Sequence, residues 1–165
     1  MDDFESVHLY ASDPEVCRYM VYGPNTPEET QQFLRMAIAE SDRESPDTIH
    51  LAIVERQTNE LVGACSLDIL SRRNQNGELG YCLNRAKWNK GYATECARAL
   101  IAYGFTRLGL HRIHATCRPA NAASARVLEK AGMRMEGHLR HHKLIRGAWE
   151  DSLLYAVLAD GWKGP

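Results

Sequence analysis

GELGYCLNRAKWNKGYATECARALIAYGF, running from Gly77 to Phe105, reads as a strand, a basic loop, a glycine-paced turn and the start of a helix. Gly77 to Leu83 alternates as a strand does. Ala93, Cys96, Ala97, Leu100, Ile101, Gly104, Phe105 and Leu108 recur at helical spacing. Between them, WNKGYAT (Trp88 to Thr94) gathers backbone N–H groups ahead of the helix. First-turn amides have no intrahelical partner and the helix dipole is positive there, so the turn is a candidate anion site, for phosphate above all. Alone it is weakly specific, since a glycine before a helix is common.

Outward from this stretch, the pattern keeps alternating between strand and helix. On the N-terminal side, Ile49 to Glu55 and Leu61 to Ile69 are strand-like, with Thr58-Asn59 as the hairpin turn. Asp13-Pro14 opens a helix through Arg18 to Val21, with Asp13 as cap and proline at the first helical position. Thr26-Pro27-Glu28-Glu29 repeats that chemistry, and Phe33, Met36, Ala37 and Ile38 fit a helical period. On the C-terminal side, His111 to Cys117 is a strand with Ile113, Ala115 and Cys117 on one face. Asn121 to Ala131 is a helix stopped by Gly132. Met133 to Leu144 and Asp151 to Leu158 form a final antiparallel pair turning near Arg146-Gly147. The order predicts an α/β (α+β) protein, a sheet with helices on its faces.

The totals fit one domain over residues 1–165. A chain of 165 residues can bury a real core. Hydrophobic residues at 44% and charged residues at 25% are ordinary for a globular protein. A net charge of −1 gives no electrostatic case for nucleic acid or membrane surfaces as partners. No apolar run approaches the ~20 residues of a membrane span, and the acidic start MDDFES is unlike a signal peptide. Cys17, Cys65, Cys82, Cys96 and Cys117 are odd in number, form no CxxC and lie mostly in apolar patterns. Reduced, buried thiols and a cytoplasmic setting follow.

The strings GELGYCL, WNKGYATE, YGFTRLGLHRI, RPANAASARVLEKAGM and EGHLR resemble the GNAT superfamily of acyl-CoA-dependent N-acyltransferases. WEDSLLYAVL matches more loosely. The likeness is strongest to the Rim-type branch, which holds the ribosomal-protein N-terminal acetyltransferases, and it covers roughly the last two-thirds of the chain. Each string is short, but they occur in order and at fixed spacing. The resemblance implies a mixed, mostly antiparallel sheet splayed at the cofactor site, acetyl-CoA as co-substrate and no metal. It also implies that an acetyl group moves to a primary amine by direct attack in a ternary complex.

The resemblance also implies site residues. In the superfamily's Arg/Gln-x-x-Gly-x-Gly/Ala pattern, Gly91 and Ala93 fill the small positions, and Trp88 stands at the Arg/Gln position. The pyrophosphate would lie on the amides of Lys90 to Thr94, and Leu83 would offer backbone groups to the pantetheine arm. Asn121 and Ser124 match an NxxS pair that contacts the cofactor. Asn121 is equally a helix N-cap after Pro119. The implied cofactor set is Leu83, Trp88, Asn89, Lys90, Gly91, Tyr92, Ala93, Thr94, Asn121 and Ser124.

The attacking amine must be neutral, and reference pKa values of ~8 for an α-amino group and ~10.4 for lysine make a nearby base useful. Glu78, on the strand before the turn, is the implied general base, acting through water. An exposed strand glutamate paired with a cation is the plainer alternative. The superfamily's tyrosine donor is missing, because Val127-Leu128 stands where a leucine–tyrosine pair is common. Ser124 and Tyr155 are the substitutes, and a thiolate of pKa ~8.5 can also leave without an acid. Lys143 stands near a position where some Rim-type enzymes carry a glutamate close to the acceptor.

His138, His141 and His142 invite a metal reading. His141 and His142 would face opposite sides of a strand, with no cysteine or carboxylate at ligand spacing, so a solvated strand is expected. Trp88, Trp149 and Trp162 read as packing residues. Glu28, Glu29 and Glu40 would suit a cationic acceptor but read better as a solvated face. The usual first strand of related proteins is missing, which leaves Ile49 to Glu55 as a sheet edge. A partner subunit, as in a homodimer, or a local helix is expected to cover it. The acceptor stays open between a protein N-terminus, a polyamine, an amino sugar and another small amine. A non-catalytic acyl-CoA-binding regulatory module is the alternative from another class. A nucleotide binder is disfavoured, because neither GxGxxG nor GxxxxGK[ST] occurs.

Overall fold

The structure, a computed structural model, describes residues 3–164. Its strands are β1 (Thr48–Glu55), β2 (Glu60–Ser71), β3 (Asn76–Leu83), β4 (Arg112–Cys117), β5 (Arg134–Ile145) and β6 (Ala148–Leu158). The helices are α1 (Phe4–Ala11), α2 (Pro14–Cys17), α3 (Pro27–Ser41), α4 (Tyr92–Thr106) and α5 (Ala122–Lys130). One six-stranded sheet runs in the order β1-β2-β3-β4-β6-β5. Every neighbouring pair is antiparallel except β3 and β4. That parallel pair needs a crossover, and α4 supplies it.

The β3–β4 pairing is short. Asn76, Gly77 and Glu78 face Arg112, Ile113 and His114, and then the strands part. Leu79 to Leu83 continues against β2 alone. Ala115 to Cys117 continues against β6 alone. The result is a cleft that opens towards the C-terminal ends of both strands, where α4 and α5 begin.

The helices lie on both faces of the sheet. The larger core takes Leu100 and Ile101 of α4, Leu67 and Ile69 of β2, Ile113 of β4 and Leu128 of α5. A smaller cluster joins Val7, Tyr10 and Ala11 of α1 to Val16 and Cys82 on the other face. Gly104 lets α4 sit close to the sheet, since a Cβ there would meet Ile113 Cδ1 at 2.6 Å. The five cysteines are free, and four of them are buried. None of the described helices is long and apolar enough to cross a membrane.

Two expectations change. The helix opened by Asp13-Pro14 ends at Cys17 rather than Val21. The Met20 amide folds back onto the Cys17 carbonyl, and Gly23 adopts φ +69°. The edge strand β1 is covered locally but incompletely. Phe33 of α3 packs edge-on against His50, and Glu40 accepts from the amides of Asp47 and Thr48. Leu51 and Val54 remain about half exposed. Glu29 is used in a capping box with Thr26, so neither Glu29 nor Glu40 is a free acceptor-binding charge.

Candidate active site

The turn before α4 is held from behind. A one-turn 3-10 helix, Arg85–Lys87, follows β3, and Asn84 caps it by accepting from the Ala86 amide. Lys87 Nζ donates to Glu55 and Glu60 of the β1–β2 hairpin, each at 2.8 Å. The Tyr92 hydroxyl donates to Glu55 as well. Lys87 first, then Tyr92 and Thr58, pulls the Glu55 carboxyl down to about 2. Both ends of the turn are therefore tied to one hairpin.

The turn itself needs left-handed backbone at Asn89 (φ +61°) and Gly91 (φ +89°). Asparagine and glycine are the residues that tolerate this conformation. A Cβ on Gly91 would meet nothing within 4 Å, so it is the backbone angle that requires glycine here. The first helical bond runs from the Glu95 amide to the Gly91 carbonyl at 3.0 Å. Ahead of it, the amides of Lys90 to Thr94 have no acceptor among the described residues, and no side chain caps the helix. These donors face solvent beside exposed Lys90 at the head of a 15-residue helix, a set that suits a diphosphate.

Several residues of the expected cofactor set have partners within the protein. Trp88 Nε1 donates to the Leu83 carbonyl at 3.0 Å, bracing the turn against the strand end. The Leu83 side chain is buried. Asn121 is the N-cap of α5, accepting from the Ser124 amide at 3.1 Å.

Glu78 sits on the last paired rung, where the cleft begins. Its side chain points to the face opposite α4 and meets residues from two other strands, β4 and β5. Thr116 Oγ1 donates to Glu78 Oε1 at 3.1 Å. His114 Nε2 and Lys143 Nζ each stand 3.9 Å from a Glu78 oxygen. Lys143 also donates to Thr116 Oγ1 at 3.2 Å. Burial pushes the His114 imidazole below the ordinary range, and the Glu78 charge opposes that shift. Glu78 is thus held by one hydroxyl, with the Lys143 ammonium and the His114 imidazole near it and neither in tight contact.

On the opposite face, toward α5, stands a pair of hydroxyls. The Tyr81 hydroxyl lies 2.8 Å from Ser124 Oγ and 3.3 Å from the Ser124 carbonyl. Tyr81 comes from β3 beyond its last rung with β4, so this contact bridges the cleft to α5. Tyr155 is different, being 3% exposed with its hydroxyl donating to Glu129 of α5. It shares a face with Ser124 and lies across the sheet from Glu78. Sequence reasoning missed Tyr81. The signal was its odd spacing from Glu78, which puts the two on opposite faces of one strand.

The histidines of β5 do not lie on a regular strand. Leu139 pairs with Ser152 but Lys143 pairs with Glu150, so β5 carries extra residues in a bulge. His141 adopts φ +49° and donates its amide to Asp151. His138 Nε2 meets Asp151 Oδ2 at 2.7 Å, and His142 Nδ1 meets buried Ser152 at 3.0 Å. A carboxylate does stand close to the histidines, contrary to the strand-based expectation, because it comes from the neighbouring strand. No metal-ligand group of three forms among the described residues. Trp149 is also not a core residue, being 59% exposed beside Leu144.

Comparison with known proteins places this arrangement. A model of the acetyltransferase (GNAT) domain matches residues 1–134. The chain is 32% identical to the uncharacterized N-acetyltransferase p20 of Bacillus licheniformis, over 99% of this chain and 92% of that relative. It superposes on a GNAT-family acetyltransferase from Bacillus anthracis with a TM-score of 0.86 and 35% identity, covering 96% of this chain and 90% of that one. A ribosomal-protein-S5-alanine acetyltransferase from Vibrio fischeri is also similar, with a TM-score of 0.82 and 26% identity over 98% of this chain and 91% of that one.

Proposed function

The chain belongs to the GNAT acetyltransferase family, and we propose that it acetylates a primary amine with acetyl-CoA by direct attack in a ternary complex. Acetyl-CoA brings the activated acyl group as a thioester. The unpaired amides of Lys90 to Thr94 bind its diphosphate, with Lys90 adding charge. The cleft between β3 and β4 leads from that turn to Glu78. The observation that carries this reading is that Glu78, the one carboxylate on the last shared rung, stands where the cleft begins.

The residues then divide the work. Glu78 accepts the amine proton through a water, while Thr116 fixes its Oε1. Lys143 puts positive potential beside the base. That favours delivery of a neutral amine and disfavours a polycation. A peptide α-amino group, whose reference pKa is only ~8, suits such a site better than a polyamine.

The test is Glu78→Gln, with release of free thiol followed for a panel of N-terminal peptides and small amines. We expect turnover to fall about 100-fold or more, while coenzyme A still raises the melting temperature as in the wild type. Unchanged turnover would remove Glu78 as base. Coenzyme A binding without thiol release for any amine would favour the regulatory module instead.

A further inference from the structure

The tyrosine donor that the family resemblance implies on α5 is absent here. Val127 and Leu128 occupy that part of α5, and Leu128 is buried in the core. A hydroxyl nevertheless reaches the same side of the cleft from the opposite wall. Tyr81 leaves β3 on the face away from Glu78, crosses the opening and ends 2.8 Å from Ser124 Oγ. Ser124 is itself fixed in the first turn of α5, because its amide is bound by the Asn121 cap. Of the hydroxyls on this face, Tyr155 is committed to Glu129 and shielded from solvent.

Resting on the acetyl-CoA reading above, we infer that Tyr81, paired with Ser124, is the proton donor to the departing thiolate. The geometry splits the two proton transfers between the faces of one strand. Carbon–nitrogen bond formation proceeds on the Glu78 face, where Glu78 takes the amine proton through water. As the carbon–sulfur bond breaks, the Tyr81 hydroxyl gives its proton to sulfur. Tyr81 then regains a proton from solvent by way of Ser124 Oγ. Burial pushes the Tyr81 phenol up to about 12, so the hydroxyl is protonated throughout the neutral range; that also makes it a weaker acid than the departing thiol, and replacement of its proton through Ser124 Oγ is what completes the transfer. The sequence substitutes a strand tyrosine for a helix tyrosine, with the donor reaching the cleft from the other side.

The experiment uses wild type, Tyr81→Phe and Ser124→Ala, and reads binding as well as turnover. Calorimetry compares coenzyme A with desulfo-coenzyme A, which lacks the sulfur. A donor that meets sulfur makes the wild type prefer coenzyme A, and Tyr81→Phe should cut that preference about fivefold, the value of one hydrogen bond. Its kcat should fall at least about tenfold, with KM for acetyl-CoA and the melting temperature near wild type. Ser124→Ala breaks the same intramolecular bond but keeps the phenol, so its preference for sulfur should persist. Equal losses of melting temperature in both variants, with the sulfur preference intact in both, would show a brace and overturn the assignment. Unchanged kcat in Tyr81→Phe would overturn it too. A wild type that neither binds coenzyme A nor releases thiol would overturn the underlying acetyl-CoA reading, a failure distinct from these.

Discussion

The Trp88–Thr94 turn and the β5–β6 hairpin border the same cleft, but they are made of different material. The turn works through main-chain amides, and its side chains serve to hold it. Trp88 braces it on Leu83, and Tyr92 and Lys87 tie it to Glu55. The hairpin works through side chains that a bulge redirects, above all Lys143 and His142. A backbone site tolerates many side chains and demands particular angles. A side-chain site demands particular residues and tolerates several backbones. On the proposed function, cofactor recognition belongs to the first kind and acceptor recognition to the second, so each can be broken separately.

The largest break on the cofactor side is Gly91→Val. A left-handed conformation costs an ordinary residue roughly 1–2 kcal/mol, and a β-branched one more. Relief of that strain would turn the amides of Lys90 to Thr94 away from a common point. We expect the affinity for coenzyme A to drop at least about tenfold, measured by calorimetry. Far-ultraviolet circular dichroism should stay native, since the position faces open space. Retained affinity would mean that the diphosphate is held elsewhere.

On the acceptor side the sharper change is Lys143→Glu. It replaces the cation 3.9 Å from Glu78 by a second carboxylate. Lys143 is about one-third exposed, so solvent damps the effect. We expect preference for spermidine over a neutral N-terminal peptide, as a ratio of kcat/KM, to rise about fivefold. Coenzyme A affinity should not move. A loss of coenzyme A binding here would join the two regions that the structure separates.

This division also explains what could be read in advance. The strand–turn–helix stretch carries its own punctuation, and β3, the glycine turn and α4 stand within a residue or two of the expected bounds. The places of Glu78 on β3 and Ser124 in the first turn of α5 were legible because strand parity and a helix cap fix them locally. The bulge was not, because two strands of unequal length settle their register only when paired. His138 and His141 therefore meet Asp151, a carboxylate on the neighbouring strand that spacing along the chain did not reveal. Tyr81 escaped for a related reason, since its partner on α5 lies 43 positions away in the chain.

Acid should loosen the anchor of the turn. The Glu55 carboxyl is held down at about 2, chiefly by Lys87 and then Tyr92. Its folded value lies below the unfolded reference of ~4.3, so its stabilising contribution is full above that reference. The contribution fades as pH falls from about 4 toward 2. Glu55→Gln should therefore lower the melting temperature at neutral pH and flatten its decline across that acid window. An identical slope for the variant and wild type would mean that Glu55 does not anchor the turn.

The smallest effect tests the far end of the hairpin. Arg146, at the β5–β6 turn, donates to the carbonyls of Cys17, Tyr22 and Gly23 and so ties the segment between α2 and α3 to the hairpin. Arg146 is exposed, which holds the value of these charge-assisted bonds to about 1 kcal/mol together. Arg146→Ala should lower the melting temperature by about 2–4 °C. It should raise the acceptor KM a few-fold and leave coenzyme A binding alone. Arg146→Lys should rescue it poorly, because an ammonium cannot spread its donors across three carbonyls as the planar guanidinium does. A change in coenzyme A affinity, with the acceptor KM constant, would reverse the division of labour between turn and hairpin.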